Sequence, residues 1–347
     1  MKLLDNSIYL SNIKTIFNKS GFDFGVFKHK NILITGGLGL IGSAIVDLLT
    51  VSNDINNIFC NIFIADLHEE LFKQKYSGRK NVFFIQYNAL ESYTFNEQFD
   101  FIVNCAGIAN PNLYVSKPVE TTLSNLNGII NIMKYSIDHS GVRIVTISSS
   151  EIYGIKTDLS PFVESKQGLI DFSNIRSSYA VGKIAVESLC RSYASEYGVN
   201  VCCARPGHVF GPSASRNDTR VSSAFCYLAA EKKPLELYGD GCQQRSYLYS
   251  LDCAIAILLI LVKGESGESY NVGHTEETTV RTICEYIAKC ANVPLKIGKQ
   301  INKKDTSNPM DFCTLDSSKL FSLGFKPVFS VRDAIEHTIA ILEELRE

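Results

Sequence analysis

The chain has 347 residues, of which 45% are hydrophobic and 20% are charged, and its formal net charge at neutral pH is −2. This composition is typical of a globular protein, and the length suits two closely joined units. Because no basic field is available, we expect neither nucleic acid nor an anionic membrane surface as a partner. The longest apolar run, Ala254 to Val262, has nine residues, whereas a membrane-spanning helix needs about 20.

The eleven cysteines do not form a disulfide pattern, because their number is odd and none stands in a Cys-x-x-Cys pair. Cys202 and Cys203 lie in an apolar run, which is typical of small buried hydrophobic side chains. Residues 7–17 alternate polar and apolar side chains, unlike a signal peptide. We therefore expect a reducing, cytoplasmic compartment. Zinc is the alternative role for the cysteines, but no histidine stands at ligand spacing to a cysteine pair, and we expect no metal.

Strand and helix patterns alternate along the first two thirds of the chain, after an N-terminal arm (residues 1–27) that contains a short amphipathic helix. Buried strands separated by helices predict a Rossmann-type, doubly wound parallel sheet over residues 28–205. After residue 206, glycine and proline become more frequent, which predicts a smaller mixed substrate-binding domain over 206–347, with part of 245–265 returning to the Rossmann unit. The predicted strands read NILIT, NIFIAD, VFFIQYN, FDFIVNCAG, RIVTISSS and VNVCCARP.

A glycine-rich turn follows the first predicted strand and precedes a helix predicted over residues 41–50. Gly36, Gly39 and Gly42 fit Gly-x-x-Gly-x-x-Gly, in which the glycines permit a tight turn, a close approach to a pyrophosphate and close packing of helix on strand. Asp66 ends the next strand, where a carboxylate binds ribose hydroxyls and repels a 2′-phosphate. The pattern predicts a dinucleotide site for NAD rather than NADP, although Asp66 could also be a simple turn residue.

Candidate catalytic residues follow further along the chain. Tyr179 and Lys183 are four residues apart on a predicted helix, so they share one face, and a neighbouring ammonium favours the tyrosinate that a base needs. Ser149 and Glu151 follow a predicted strand at the edge of the sheet where ligands bind. Ser149 can bond a substrate hydroxyl, and Glu151 can act as a second acid or base. The alternative for Glu151 is a solvated loop charge.

Taken together, these motifs resemble the extended short-chain dehydrogenase/reductase superfamily, in its nucleotide-sugar epimerase/dehydratase branch, and most closely the UDP-glucuronate decarboxylases. The resemblance implies NAD as cofactor, a nucleotide-diphosphate sugar as substrate, and a homodimer formed by helices at 118–136 and 179–197. It is carried by TGGLGLIG, SSSEIYG, IRSSYAVGK, ARPGHVFGP, NDTRVSSAF, QRSYLYSLD and YNVG. It also implies that Tyr179, Lys183 and further residues contact the cofactor: Leu40, Ile41, Asn88, Ala89, Cys105, Ala106, Pro206, His208 and Val209.

The same resemblance implies substrate contacts from Tyr114, Ser150 and His208, and diphosphate contacts from Arg220 and Arg245. Guanidinium groups suit diphosphates, but both arginines could instead be surface ion-pair partners. Two positions depart from the family, since His208 stands where asparagine is usual and Ser150 where dTDP-glucose dehydratases have an aspartate.

The resemblance implies a reaction through a transient 4-keto sugar that ends in decarboxylation, dehydration or epimerisation. The sequence leaves these outcomes open. Two other functions stay as alternatives, a non-catalytic NAD-binding sensor and a reductase that uses free NADPH. The first usually lacks the tyrosine and lysine, and Asp66 argues against the second.

Overall fold

The computed structural model describes residues 2–299 and 308–346. Its strands are β1 (Asn31–Thr35), β2 (Asn61–Asp66), β3 (Val82–Gln86), β4 (Phe101–Asn104), β5 (Arg143–Ile147), β6 (Asn200–Pro206), β7 (His208–Phe210), β8 (Leu235–Tyr238), β9 (Gln244–Tyr249), β10 (Ser269–Val272), β11 (Glu277–Thr279), β12 (Leu295–Gly298) and β13 (Phe312–Cys313). Its α-helices are α1 (Ser7–Lys19), α2 (Leu40–Asn56), α3 (Glu69–Tyr76), α4 (Pro111–Ser116), α5 (Pro118–Asp138), α6 (Ser178–Tyr197), α7 (Val221–Ala230), α8 (Ser250–Lys263), α9 (Val280–Ala291), α10 (Ser318–Ser322) and α11 (Val331–Glu344).

Seven parallel strands form the central sheet, in the order β3-β2-β1-β4-β5-β6-β10. Helices α2 and α8 contribute to the core on one face of the sheet, and α5 and α6 contribute to the core on the other. The chain reverses its direction of winding between β1 and β4, and ligands of such sheets bind beyond the carboxyl ends of the strands at this point. The Rossmann-type fold class predicted from the sequence is confirmed.

The residues after β6 serve two parts of the molecule. Strands β7, β9, β11 and β13 form a small mixed sheet, and β8 pairs with β12 in a two-stranded sheet. Strand β10 instead joins the edge of the central sheet beside β6, and α8 contacts α2, β5 and β6. The sequence did not predict β10 as a strand, because four residues with alternating polar and apolar side chains give too short a pattern.

The N-terminal segment is part of the core. Helix α1 begins after Asn6, whose side chain accepts a hydrogen bond from the amide of Tyr9 at 2.9 Å. Tyr9, Ile13 and Ile16 are fully buried in the cluster that also contains α8 and α11. The hydroxyl of Tyr9 donates to the carboxylate of Asp47 in the middle of α2 at 2.9 Å. This segment therefore packs directly on the helix that follows the glycine turn.

Two further predictions concern the surroundings of the protein. Within the described ranges, no helix is both long enough and apolar enough to cross a membrane. The eleven cysteines are all free thiols, and most are buried. The compartment stays a prediction.

Candidate functional site

The glycine turn joins β1 to α2 and has the geometry of an anion site. Gly36 has a φ of +63°, and a Cβ there would lie 2.9 Å from the amide nitrogen of Ala106. A Cβ on Gly42 would overlap the carbonyl oxygen of Gly36, so this residue fixes the close approach of helix to strand. Gly39 is the N-cap of α2, and a Cβ there would meet only that same carbonyl, at 3.3 Å. The first amides of α2, those of Leu40, Ile41 and Gly42, have no partner within the helix and suit a pyrophosphate.

Asp66, at the end of β2, lies directly beside this turn. One carboxylate oxygen accepts a hydrogen bond from the amide of Leu38 at 3.1 Å, and the other accepts from the amide of Leu67 at 2.8 Å. The side chain is partly exposed, so it can still accept from ribose hydroxyls. The open side of Gly39 together with this carboxylate fits NAD, which the turn and Asp66 would hold.

The other residues predicted to contact the cofactor lie at the same edge of the sheet. They lie at or just beyond the carboxyl ends of β3, β4 and β6. Asn88 and Ala89 follow β3, Cys105 and Ala106 follow β4, Pro206 is the last residue of β6, and His208 and Val209 begin β7 directly after it. Burial raises the pKa of the Cys105 thiol to about 12, so this side chain is a neutral thiol at physiological pH. Their contacts with the cofactor stay predictions.

Tyr179 and Lys183 lie on the first turns of α6, and both are buried. The Nζ atom of Lys183 donates to the carbonyl oxygen of Ile147 at 2.6 Å and lies 5.9 Å from the centre of the Tyr179 ring. Burial lowers the pKa of Lys183 to about 8. Burial and the Glu151 charge raise the pKa of Tyr179, whereas hydrogen bonding from Ser149 lowers it. The structure thus brings the four predicted catalytic residues together.

Tyr114, predicted to contact the substrate, lies against Tyr179. Its ring is parallel to that of Tyr179, with an interplanar angle of 6° and 4.2 Å between ring centres. The carbonyl oxygen of Tyr114 accepts a hydrogen bond from the Ser178 hydroxyl at 3.1 Å, which fixes α4 on the start of α6. A side chain stacked this way covers one face of the Tyr179 ring.

Glu151 is not a solvated loop charge, because its carboxylate accepts two hydrogen bonds from Arg176 at 2.7 and 3.0 Å. Both side chains are largely buried, with exposed fractions of 16% and 5%. Arg176 stands three residues before Tyr179 in the sequence, where residue type and spacing alone do not mark it as a functional residue. Ser150, predicted to contact the substrate, is buried next to Cys313.

Positive charge gathers around His208 at the start of β7. Burial lowers the pKa of His208 well below its usual value, and Arg245, Arg220 and Arg176 act in the same direction. The imidazole is therefore neutral, and its Nδ1 is buried without a partner among the residues that the structure describes. Such a group can bond a ligand, and the three guanidinium groups favour an anionic one.

The two arginines predicted to contact the diphosphate have internal partners. The guanidinium of Arg220 binds the carboxylate of Asp218, with its Nε 3.0 Å from one oxygen. Arg245 is buried and donates to the carbonyl oxygens of Gln244 at 2.8 Å and Met310 at 2.6 Å. Arg245 is therefore not a surface ion-pair partner, whereas the partly exposed Arg220 does form an ion pair, with Asp218. A direct diphosphate contact stays a prediction for both.

Comparison with known proteins gives one family match. Residues 32–273 match the model of the NAD dependent epimerase/dehydratase family. UDP-glucuronic acid decarboxylase 4 of Arabidopsis thaliana is 29% identical over 304 residues, which are 88% of this chain and 66% of that protein, so the chain spans slightly less than two thirds of this relative. UDP-glucuronic acid decarboxylase 1 of Danio rerio is 30% identical over 89% of this chain and 72% of its own.

Among solved structures, dTDP-glucose 4,6-dehydratase of Bacillus anthracis, crystallised with NAD, has a TM-score of 0.75 and 22% identity. The comparison covers 91% of this chain and 97% of that one. At this identity the likeness concerns the fold.

Proposed function

Because the chain belongs to the NAD dependent epimerase/dehydratase family and is NAD-dependent, we propose that it removes the carboxyl group of a nucleoside-diphosphate uronic acid, of the UDP-glucuronate type. Relatives at 29% and 30% identity carry the name UDP-glucuronic acid decarboxylase. The positive charge around His208 supports a substrate that carries a carboxylate as well as a diphosphate.

The buried ion pair between Glu151 and Arg176 is the observation that carries this proposal. A uronic acid carboxylate can replace Glu151 on the Arg176 guanidinium, which binds carboxylates through two parallel hydrogen bonds. Glu151, released into a largely buried position, then becomes a proton carrier. A neutral hexose offers no such exchange, and Glu151 would stay bound to Arg176 as an acceptor only. The pair therefore favours decarboxylation over dehydration.

The roles of the side chains follow from their positions. NAD, which the glycine turn and Asp66 would hold, would supply the redox chemistry at C4 of the sugar. Tyr179 takes the proton of the C4 hydroxyl, which Ser149 holds, and Lys183 adds positive charge beside it. The C5–C6 bond of the resulting β-keto acid breaks, carbon dioxide leaves, and its electron pair stays on C5. Glu151, which takes up a proton from water when it leaves Arg176, delivers that proton to C5, and Tyr179 returns its proton to the C4 oxygen.

The test is a panel of UDP-, dTDP-, CDP- and GDP-linked sugars and their uronic acids, with products identified by mass. We expect carbon dioxide and a nucleotide pentose from a uronic acid, and loss of both on substitution Glu151→Gln. Loss of water from a neutral sugar would identify a dehydratase. Isomerisation that survives Glu151→Gln would identify a 4-epimerase, and either result would overturn the proposal.

We also propose that the protein is a homodimer that uses α5 and α6. These helices pack on each other, and the outer face of α5 exposes Val119, Leu123 and Ile137, which helical spacing places on one side. A Leu123→Asp variant should sediment as a monomer while the parent chain sediments as a dimer. Equal sedimentation of the two would count against this face.

A further inference from the structure

A buried polar cluster lies behind the site and contains none of the residues assigned to the reaction. Its centre is Arg205 of β6, whose guanidinium is 3% exposed and donates to the Glu187 carboxylate at 2.9 and 2.7 Å. The same guanidinium donates through Nη1 to the hydroxyl oxygen of Tyr153 at 2.8 Å. That hydroxyl in turn donates to the side-chain oxygen of Asn271 on β10 at 2.6 Å. All four residues are buried.

This cluster joins the two segments that carry the reaction. Glu187 stands on α6, one helical turn after Lys183 and on the same face. Tyr153 ends the 3-10 turn Ser150–Tyr153, whose second residue is Glu151. The Arg205 guanidinium, on a strand of the central sheet, therefore holds two segments. One is α6, which bears Tyr179, and the other is the 3-10 turn that bears Glu151.

The bonds of the cluster leave the turn little freedom. The Tyr153 ring stacks on Phe162 with 4.6 Å between ring centres and an angle of 13°, so both its ring and its hydroxyl are held. Burial would raise the pKa of Glu187, but hydrogen bonds and charge from Arg205 lower it overall, which keeps the ion pair charged. A buried group that loses one of these partners pays its full desolvation cost, so the arrangement resists displacement.

We propose that Arg205 and Tyr153 are positioning residues that hold Glu151 at its working distance from Tyr179 and the sugar. The inference rests on the proposed function, in which Glu151 must leave Arg176 and reach C5. When that carboxyl changes partner, the backbone of its turn stays fixed through Tyr153. The hydride step depends on Tyr179 on α6, which Arg205 still holds through Glu187 when the Tyr153 hydroxyl is lost, whereas the proton transfer to C5 depends on the turn that Tyr153 fixes.

The test is Tyr153→Phe in the NAD-loaded protein with UDP-glucuronate as substrate. The ring and its stack remain, and only the hydroxyl between Arg205 and Asn271 is lost. We expect kcat to fall by about ten- to a hundredfold, as for a misplaced reacting group, with KM within about twofold. The fraction of bound cofactor present as NADH during turnover should rise, because hydride leaves C4 normally but returns late. Added to Glu151→Gln, which by itself abolishes product, Tyr153→Phe should leave the bound NADH fraction unchanged.

Tyr76→Phe is the matched control. The Tyr76 hydroxyl is equally buried and donates to Asp47 at 2.9 Å, so its loss costs comparable stability away from the turn. This variant should keep the parent kcat and NADH fraction. Tyr153→Phe with the parent NADH fraction, or with a loss of kcat no greater than that of Tyr76→Phe, would overturn the positioning role.

The two proposals fail in different ways. Parent protein that releases no carbon dioxide from any uronic acid would overturn the proposed function, and the positioning role with it. Parent protein that decarboxylates UDP-glucuronate while Tyr153→Phe behaves like Tyr76→Phe would overturn the positioning role alone.

Discussion

Replacing Lys183 by methionine should abolish turnover and make the protein more stable. Burial lowers the pKa of this lysine from 10.5 to about 8, which makes its charged form about 3 kcal/mol less favourable in the folded than in the unfolded chain. Methionine fills similar space without the charge, but it loses the hydrogen bond to Ile147, worth about 1 kcal/mol. We therefore expect the cofactor-free variant to gain about 2 kcal/mol in free energy of unfolding at pH 7.

The sign of this stability difference is tested by how the free energy of unfolding depends on pH. Between about pH 8 and 10.5, the folded lysine is neutral while the unfolded lysine still binds a proton, so the parent protein becomes more stable as pH rises. The advantage of Lys183→Met should shrink above pH 8 by about 1.4 kcal/mol per pH unit. Urea unfolding at pH 7 and pH 9, after NAD is removed on charcoal, measures both values. Lys166→Met, at an exposed position, controls for the substitution itself.

Two results would refute this reasoning. One is a Lys183→Met protein that is less stable than the parent at pH 7. The other is a difference in stability that is the same at pH 7 and pH 9, since a buried charge cannot produce it.

Two other predictions follow from buried groups near the glycine turn. Burial raises the pKa of Asp47 to about 6, so the parent protein loses stability as pH rises from about 4 to 6. The variant Asp47→Asn can still form hydrogen bonds with Tyr9 and Tyr76. In urea unfolding, its free energy of unfolding should exceed that of the parent by up to about 3 kcal/mol at pH 7 and equal it near pH 4. A variant that is less stable at pH 7 would contradict this. The variant Gly42→Ala should purify with little or no NAD, which is measured by its release on denaturation. The control Gly128→Ala should retain NAD, because a Cβ there would meet only ordinary contacts of 3.5 Å and longer. Equal NAD contents in the two variants would contradict the steric argument.

Six strands of the central sheet could be predicted because each is an apolar run between polar or turn-forming residues, although the segments predicted for β3, β4 and β5 extend beyond the observed ends. The predictions for β1 and β2 match the structure at both ends. Helix α2 extends six residues beyond the predicted Thr50, to Asn56, since its last turns are polar and lack the apolar period. Strand β10 lies far along the chain from β6, and pairing between such distant short segments leaves no local signal.

The site was predictable where one motif carries both residue type and spacing, as in Tyr179 and Lys183. The contact between Glu151 and Arg176 joins residues 25 positions apart, across a loop whose path the sequence does not specify. The bonds of Arg245 to backbone carbonyls are equally hidden, because any segment can supply a carbonyl. The Arg205 cluster could not be predicted either, because its members come from four separate elements of the chain.

The central claim is that the hydride removed from C4 of the sugar is later returned to the same carbon. UDP-glucuronate labelled with deuterium at C4 tests this claim most directly. The purified protein, with no added cofactor, should release carbon dioxide and give a UDP-pentose that retains the deuterium at C4, because the hydride taken from C4 returns there. Tyr179→Phe should give no product while keeping its NAD. Product without deuterium at C4, or a stoichiometric requirement for added NADPH, would each contradict the account.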